Sequence, residues 1–125
     1  MIRNEAEFSN QLVTFWRSKH YFVQRVETGR VNRGVPDIYV SNSEVSYWVE
    51  LKKVHTKAYS GMMIPWRPGQ QGWMLEHYIV TKKPCITIVH CEDCILVIPM
   101  TKRYTRNIIK LHEIKVVHSI SELIL

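Results

Sequence analysis

Asp37, Glu50 and Lys52 are the residues whose types and spacing could do chemistry. Glu50 and Lys52 lie two apart in a run rich in aromatic and β-branched residues, so in a strand they face the same way. Val49 and Leu51 then face the other way, into a core. Asp37 opens the preceding apolar run, and only a short turn separates the two runs. A hairpin there would set its carboxylate beside that of Glu50. Two carboxylates so close repel each other unless a cation lies between them. Mg²⁺ suits that place: a hard ion held by one or two carboxylates, several waters and phosphate oxygens. A neighbouring lysine can orient a water or neutralise charge growing on a phosphate. Together these are the parts needed to hydrolyse a phosphodiester. The plainer alternative is a solvent-facing strand that follows a Pro-Asp turn, and spacing alone does not decide between the two.

The elements that must position these residues can be read along the chain. Residues 5–19 predict a helix, with Phe8, Leu12 and Phe15 forming one apolar stripe. Asn4 can cap it, and Glu7 can complete a capping box. Residues 21–26 predict a strand, and a polar loop over 27–34 carries Arg30, Arg33 and two glycines. A short strand over 37–40 opens after Pro36; a turn at 42–44 leads into a strong strand over 47–54. Residues 55–69 are irregular, and helical character returns over Gln70–Thr81. Strands at 85–90 and 95–98 flank Cys91-Glu92-Asp93-Cys94, which reads as a hairpin turn. The tail, 100–125, begins polar and basic. It then predicts a short strand near 114–117 and a final helical turn capped by Ser119 or Ser121. Helix, three strands, helix, two strands and tail fit one α/β domain over 1–125 with a mixed sheet flanked by helices.

The motifs Gly34-Val35-Pro36-Asp37, Trp48-Val49-Glu50-Leu51-Lys52 and Gln70-Gln71-Gly72-Trp73 together resemble the PD-(D/E)XK nuclease superfamily. Within it they are similar to the virus-type replication-repair (VRR-NUC) branch and to phage Holliday-junction-resolvase-like enzymes. Those proteins place a glycine before the Pro-Asp, Glu-x-Lys on the next strand, and a glutamine with tryptophan three residues later on a helix. The resemblance spans roughly residues 5–89. It implies a restriction-endonuclease-like core and cleavage of DNA with Mg²⁺, for which Mn²⁺ can substitute. Asp37, Glu50 and the backbone carbonyl of Leu51 would ligate the metal, Lys52 would act at the attacking water, and Gln70 would line the site. Family members often add a glutamate from the first helix. On a helical wheel Glu5 lies about 60° from Phe8, on the apolar side, and Glu7 about 100° away on the other side; Glu5 is the expected ligand and Glu7 the capping residue. Two charges that merely favour a helix N-terminus remain the alternative. The chain departs from the family at His20, where a glycine often ends the first helix. It departs again in the length of the segment between Lys52 and Gln70.

That segment interleaves Lys53, His55, Lys57, Tyr59, Trp66 and Arg67, a mixture suited to phosphate contact and base stacking. A surface loop with Trp66 folded back onto the core is equally compatible. Arg30 and Arg33, in the loop leading to Asp37, are candidates to grip the substrate backbone. Seventeen Lys and Arg against eleven Asp and Glu give a net charge of +6, which draws polyanions. Three cysteines exclude a complete disulfide framework and point to free thiols in a reducing cytoplasm, that of a bacterium or a phage-infected cell. No apolar run is long enough for a membrane span, and residues 1–10 do not read as a secretory signal. Cys91 and Cys94 could serve zinc or redox chemistry, with Cys85, His90 or His112 as further ligands, but a structural hairpin turn is favoured. The expectation is a DNA endonuclease acting on branches or flaps, in keeping with a homodimer by the resemblance. The alternative is a non-catalytic nucleic-acid-binding protein with the same fold.

Overall fold

The computed structural model describes residues 2–26 and 34–125. The first helix, α1 (Glu5–Ser18), is capped by Asn4, whose side chain accepts the Glu7 N–H at 2.9 Å. The second half of the expected box is made differently. The Glu7 carboxylate accepts from the Arg3 backbone N–H and guanidinium, both at 2.8 Å, so it closes one residue further out. Past the helix, His20 adopts a φ of 66°, the left-handed conformation that a glycine takes at low cost.

Six strands follow: β1 (Phe22–Arg25), β2 (Ile38–Ser41), β3 (Ser46–Lys53), β4 (Cys85–His90), β5 (Ile95–Met100) and β6 (Lys115–Val117). They lie in one sheet in sequence order, and β3 and β4 run parallel while the other neighbours are antiparallel. A parallel pair cannot be joined by a tight turn. The connection from β3 to β4 carries α2 (Gln70–Thr81). Pro99 in β5 lies beyond the part paired to β6, so its missing N–H costs no bond there.

Alternation along the strands sends residues to two core layers. Ile38, Val40, Val49, Leu51, Ile86 and Ile88 pack with Phe8, Leu12 and Trp16 of α1. Cys85, Val89, Leu96, Ile98 and Met100 pack with Met74 of α2 and with Met62, Ile64 and Trp66 of the connection. The tail closes the first layer: Trp16 Nε1 donates to the Leu123 carbonyl at 2.8 Å. A short 3₁₀ turn, Ile120–Glu122, is capped by Ser119 in a complete capping box. No helix among the described residues is long and apolar enough to cross a membrane.

Candidate active site

Ile38 pairs with Val49 across the β2–β3 hairpin, so the next pair outward sets Asp37 against Glu50. Asp37 sits just before β2 begins, and its Oδ2 accepts the Leu51 N–H at 2.9 Å. The carboxylate thereby takes the place of the strand that has ended, beside β3. The N–H and C=O of one strand residue leave on the same side, so the Leu51 carbonyl opens toward Asp37 too.

Glu50 and Lys52 share the α2 side of the sheet and are both buried, at 1% and 6% exposure. Glu50 Oε2 meets Lys52 Nζ at 3.1 Å and accepts from Gln70 Nε2 at 2.8 Å. Gln70, the first residue of α2, is itself fixed because its Oε1 accepts the Arg67 N–H at 2.8 Å. That bond settles which end of the amide points at Glu50. Glu50 Oε1 is buried and has no hydrogen-bond partner. Burial above all, and then the Asp37 carboxylate, push the Glu50 pKa up to about 7 against the pull of Lys52. A buried carboxylate oxygen with a free lone pair, beside a second carboxylate that raises its pKa, is a place a cation would stabilise. Among the described residues no three His, Cys, Asp or Glu side chains gather closely enough to cage a metal. Zinc would need such a cage, whereas Mg²⁺ keeps several waters and needs only one or two carboxylates. The donor set therefore fits Mg²⁺.

Glu5 stays exposed, yet partial burial and then Asp37 raise its pKa, while Lys52 and Arg67 lower it. It feels Asp37 and Lys52, as Glu50 does, from the exposed start of α1. Arg67, exposed on the connection, adds a cation there. Glu7 is committed to Arg3 and the cap. Two of the other expected cations, Lys53 and Lys57, lie elsewhere. Lys53 projects to the α1 side of the sheet, and its Nζ donates to the Val54 carbonyl at 2.9 Å. Lys57 is exposed near Asp93 on the β4–β5 turn. Arg30 and Arg33 fall outside the described residues.

Gly34 shows why a glycine precedes the Pro-Asp. Its φ is 92°, and a Cβ there would stand 2.4 Å from the Gly69 carbonyl oxygen at the start of α2. The backbone entering β2 thus touches the backbone entering α2, which brings Asp37 and Gln70 to one place. Trp66 folds back onto the core, donating to Thr87 Oγ1 at 3.1 Å and stacking on Tyr104. Gln71 is buried and clamps the tail, accepting the Tyr104 N–H and donating to the Tyr104 carbonyl and Asn107. Sequence reasoning gave neither Gln71 nor Thr87 a role: Gln71 stood in the motif only as the neighbour of Gln70, and Thr87 is a single polar residue inside an apolar run, which carries no spacing signal. Cys91 and Cys94 lie buried in the β4–β5 turn. Burial pushes the Cys91 thiol up to about 12 and also raises Cys94, so both are neutral packing groups.

No family model and no curated protein matches the chain. Among solved structures, that of Archaeoglobus fulgidus Hjc, a Holliday junction resolvase from an archaeal hyperthermophile, matches with a TM-score of 0.61. The match covers 92% of this chain and 94% of that one at 15% sequence identity. The chain therefore has the α/β fold of that resolvase, a mixed six-stranded sheet flanked by two helices.

Proposed function

We propose that the protein is a metal-dependent endonuclease that hydrolyses DNA phosphodiester bonds, with a preference for branched or flapped substrates. The observation that carries this reading is the buried Glu50: one oxygen is tied to Lys52 and Gln70, the other is unpartnered, and Asp37 stands beside it. Asp37, Glu50 and the Leu51 carbonyl would hold Mg²⁺, or Mn²⁺ in its place, with Glu5 as an outer contributor. When bound, the ion supplies Lewis-acid stabilisation of the phosphoryl oxygens and a more acidic water. Lys52 Nζ, held by Glu50, orients the attacking water and balances charge that develops on the phosphate. Gln70 locks the Glu50 carboxylate in one orientation. Arg67 near Glu5, with Arg30 and Arg33 shortly before Asp37 in the sequence and Lys53 and Lys57 further out, would draw the DNA backbone by charge.

The preference for branches is supported by the fold shared with a Holliday junction resolvase. The virus-type branch of the superfamily is supported by the three motifs alone. A homodimer would let one assembly meet two strands, and a sedimentation mass equal to one chain, with and without DNA, would count against it. The test of function is cleavage of labelled plasmid, duplex, single strand, flap and four-way junction, with Mg²⁺ or with EDTA. Wild type cuts only with metal, and Lys52→Ala lowers the rate by about a hundredfold or more while keeping its circular dichroism. DNA binding without cutting, unchanged by metal, would instead favour a non-catalytic binding protein.

A further inference from the structure

On the α2 side of the sheet, α2 packs over β4 and β5, and among the described residues no helix covers the part made by β1, β2 and β3. The residues of β1, β2 and β3 that alternate away from α1 include Phe22, Gln24, Tyr39, Trp48, Glu50 and Lys52. Glu50 and Lys52 are buried, but the aromatic members are not. Phe22 is 58% exposed, and Tyr39 and Trp48 are half-buried. Their rings form a row with two from α2. Phe22 meets Tyr39 at 6.4 Å between centroids, Tyr39 meets Trp48 at 5.1 Å, Trp48 meets Trp73 at 5.6 Å, and Trp73 stacks on His77 at 5.7 Å. Trp48 precedes Glu50 by two residues on the same face, and Trp73 follows Gln70 by three on α2, so the row passes beside the candidate active site at Trp48 and Trp73. At its other side Tyr39 lines an open cavity with Ser41, Asn42, Ser46 and Lys83.

We propose that this face seats an unpaired DNA strand, whose bases stack on Tyr39 and Trp48 while an adjoining phosphate lies at Glu50. The inference rests on the nuclease reading and adds the part of the substrate that this face takes. Four observations favour a strand over a second copy of the chain. The row is continuous with the residues that would cut. Its members are aromatic, and stacking on exposed bases is tolerant of sequence. The cavity beside Tyr39 offers a lysine for phosphate and small hydrogen-bonding side chains for base edges, although Glu44 also lines it. A chain of net charge +6 complements a polyanion and repels its own copy.

The test is fluorescence anisotropy with a short labelled oligothymidylate and with a blunt duplex, in EDTA, for wild type, Phe22→Ala and Tyr39→Ala. Neither ring belongs to a core layer, and thermal melts check that each variant stays folded. Tyr39→Ala weakens oligothymidylate binding about tenfold, Phe22→Ala does so less, and duplex affinity changes by less than about twofold for both. Equal losses for the two ligands, or none, overturn the proposal. So does a fall in sedimentation mass in the variants with unchanged oligothymidylate affinity, which would give the face to a second copy. Because binding is read without metal, the two readings separate. Metal-dependent cutting that Lys52→Ala abolishes, together with ring-independent binding, leaves the nuclease standing without this seat. Ring-dependent binding without cutting does the reverse.

Discussion

Glu50 is held by two neighbours of unequal visibility. Lys52 could be read from the sequence, because a separation of two on a strand puts both side chains on one face. Gln70 carried a motif spacing, but its bond to Glu50 and its own tether to Arg67 join residues with no periodic relation. Gln70→Leu removes that tether and leaves the Arg67 N–H without its acceptor, a cost of about 1–3 kcal/mol. Cleavage falls about ten- to a hundredfold, as for other residues that orient a metal ligand, and chemical denaturation with rate measurements checks both numbers. Metal binding is tested without turnover. Mg²⁺ raises the Tm of wild type by mass action on the folded state, and Asp37→Asn removes most of that shift. An equal shift in the variant would show that the ion binds elsewhere. Glu5 and Glu7 differ by a rotation about α1, and the wheel already separated them; the pairing of Glu7 with Arg3 depended on a residue outside the helix.

Elements were more legible than their ends. The strands, both long helices and even the Ser119 turn follow apolar periodicity and caps, which are local. The β2–β3 register is also local, since a short turn dictates it. What the sequence could not show was the meeting of two loops far apart in the chain. Gly34 has no side chain because the Gly69 carbonyl occupies that space. Gly34→Ala therefore combines a positive φ with a backbone clash, and costs about 2–4 kcal/mol. It also shifts Asp37 relative to Gln70, so the rate falls further than the loss of stability explains at a temperature where the variant is still folded. An unchanged rate would mean that the contact serves stability alone. The long segment before α2 behaved in two ways: Trp66 belongs to the core, whereas Arg67, its neighbour, is exposed and near enough to Glu5 to lower its pKa. Alternating burial within an irregular stretch leaves no period to detect.

At the scale of the molecule, two core layers share one sheet, and all three cysteines belong to the layer under α2. Burial holds Cys85 and Cys91 up to about 12 and raises Cys94. A thiol reagent at pH 8 therefore leaves the native protein unlabelled and reacts with all three in denaturant; rapid native labelling would contradict the packing. The basic charge and the mixed order of elements were visible in composition and pattern. The uncovered aromatic face was not, because only the placement of α2 over β4 and β5 shows which part of the sheet remains bare. The single parallel pair, β3 with β4, has a kinetic consequence. Each half of the sheet is a meander that can form from nearby residues, but one half carries Asp37, Glu50 and Lys52 and the other segment carries Gln70. Joining them requires closure of the long connection, the kind of non-local step that slows folding. On dilution from denaturant, backbone ellipticity recovers first and the proposed cleavage returns only in the last phase, so under that proposal a partly folded chain would leave DNA uncut.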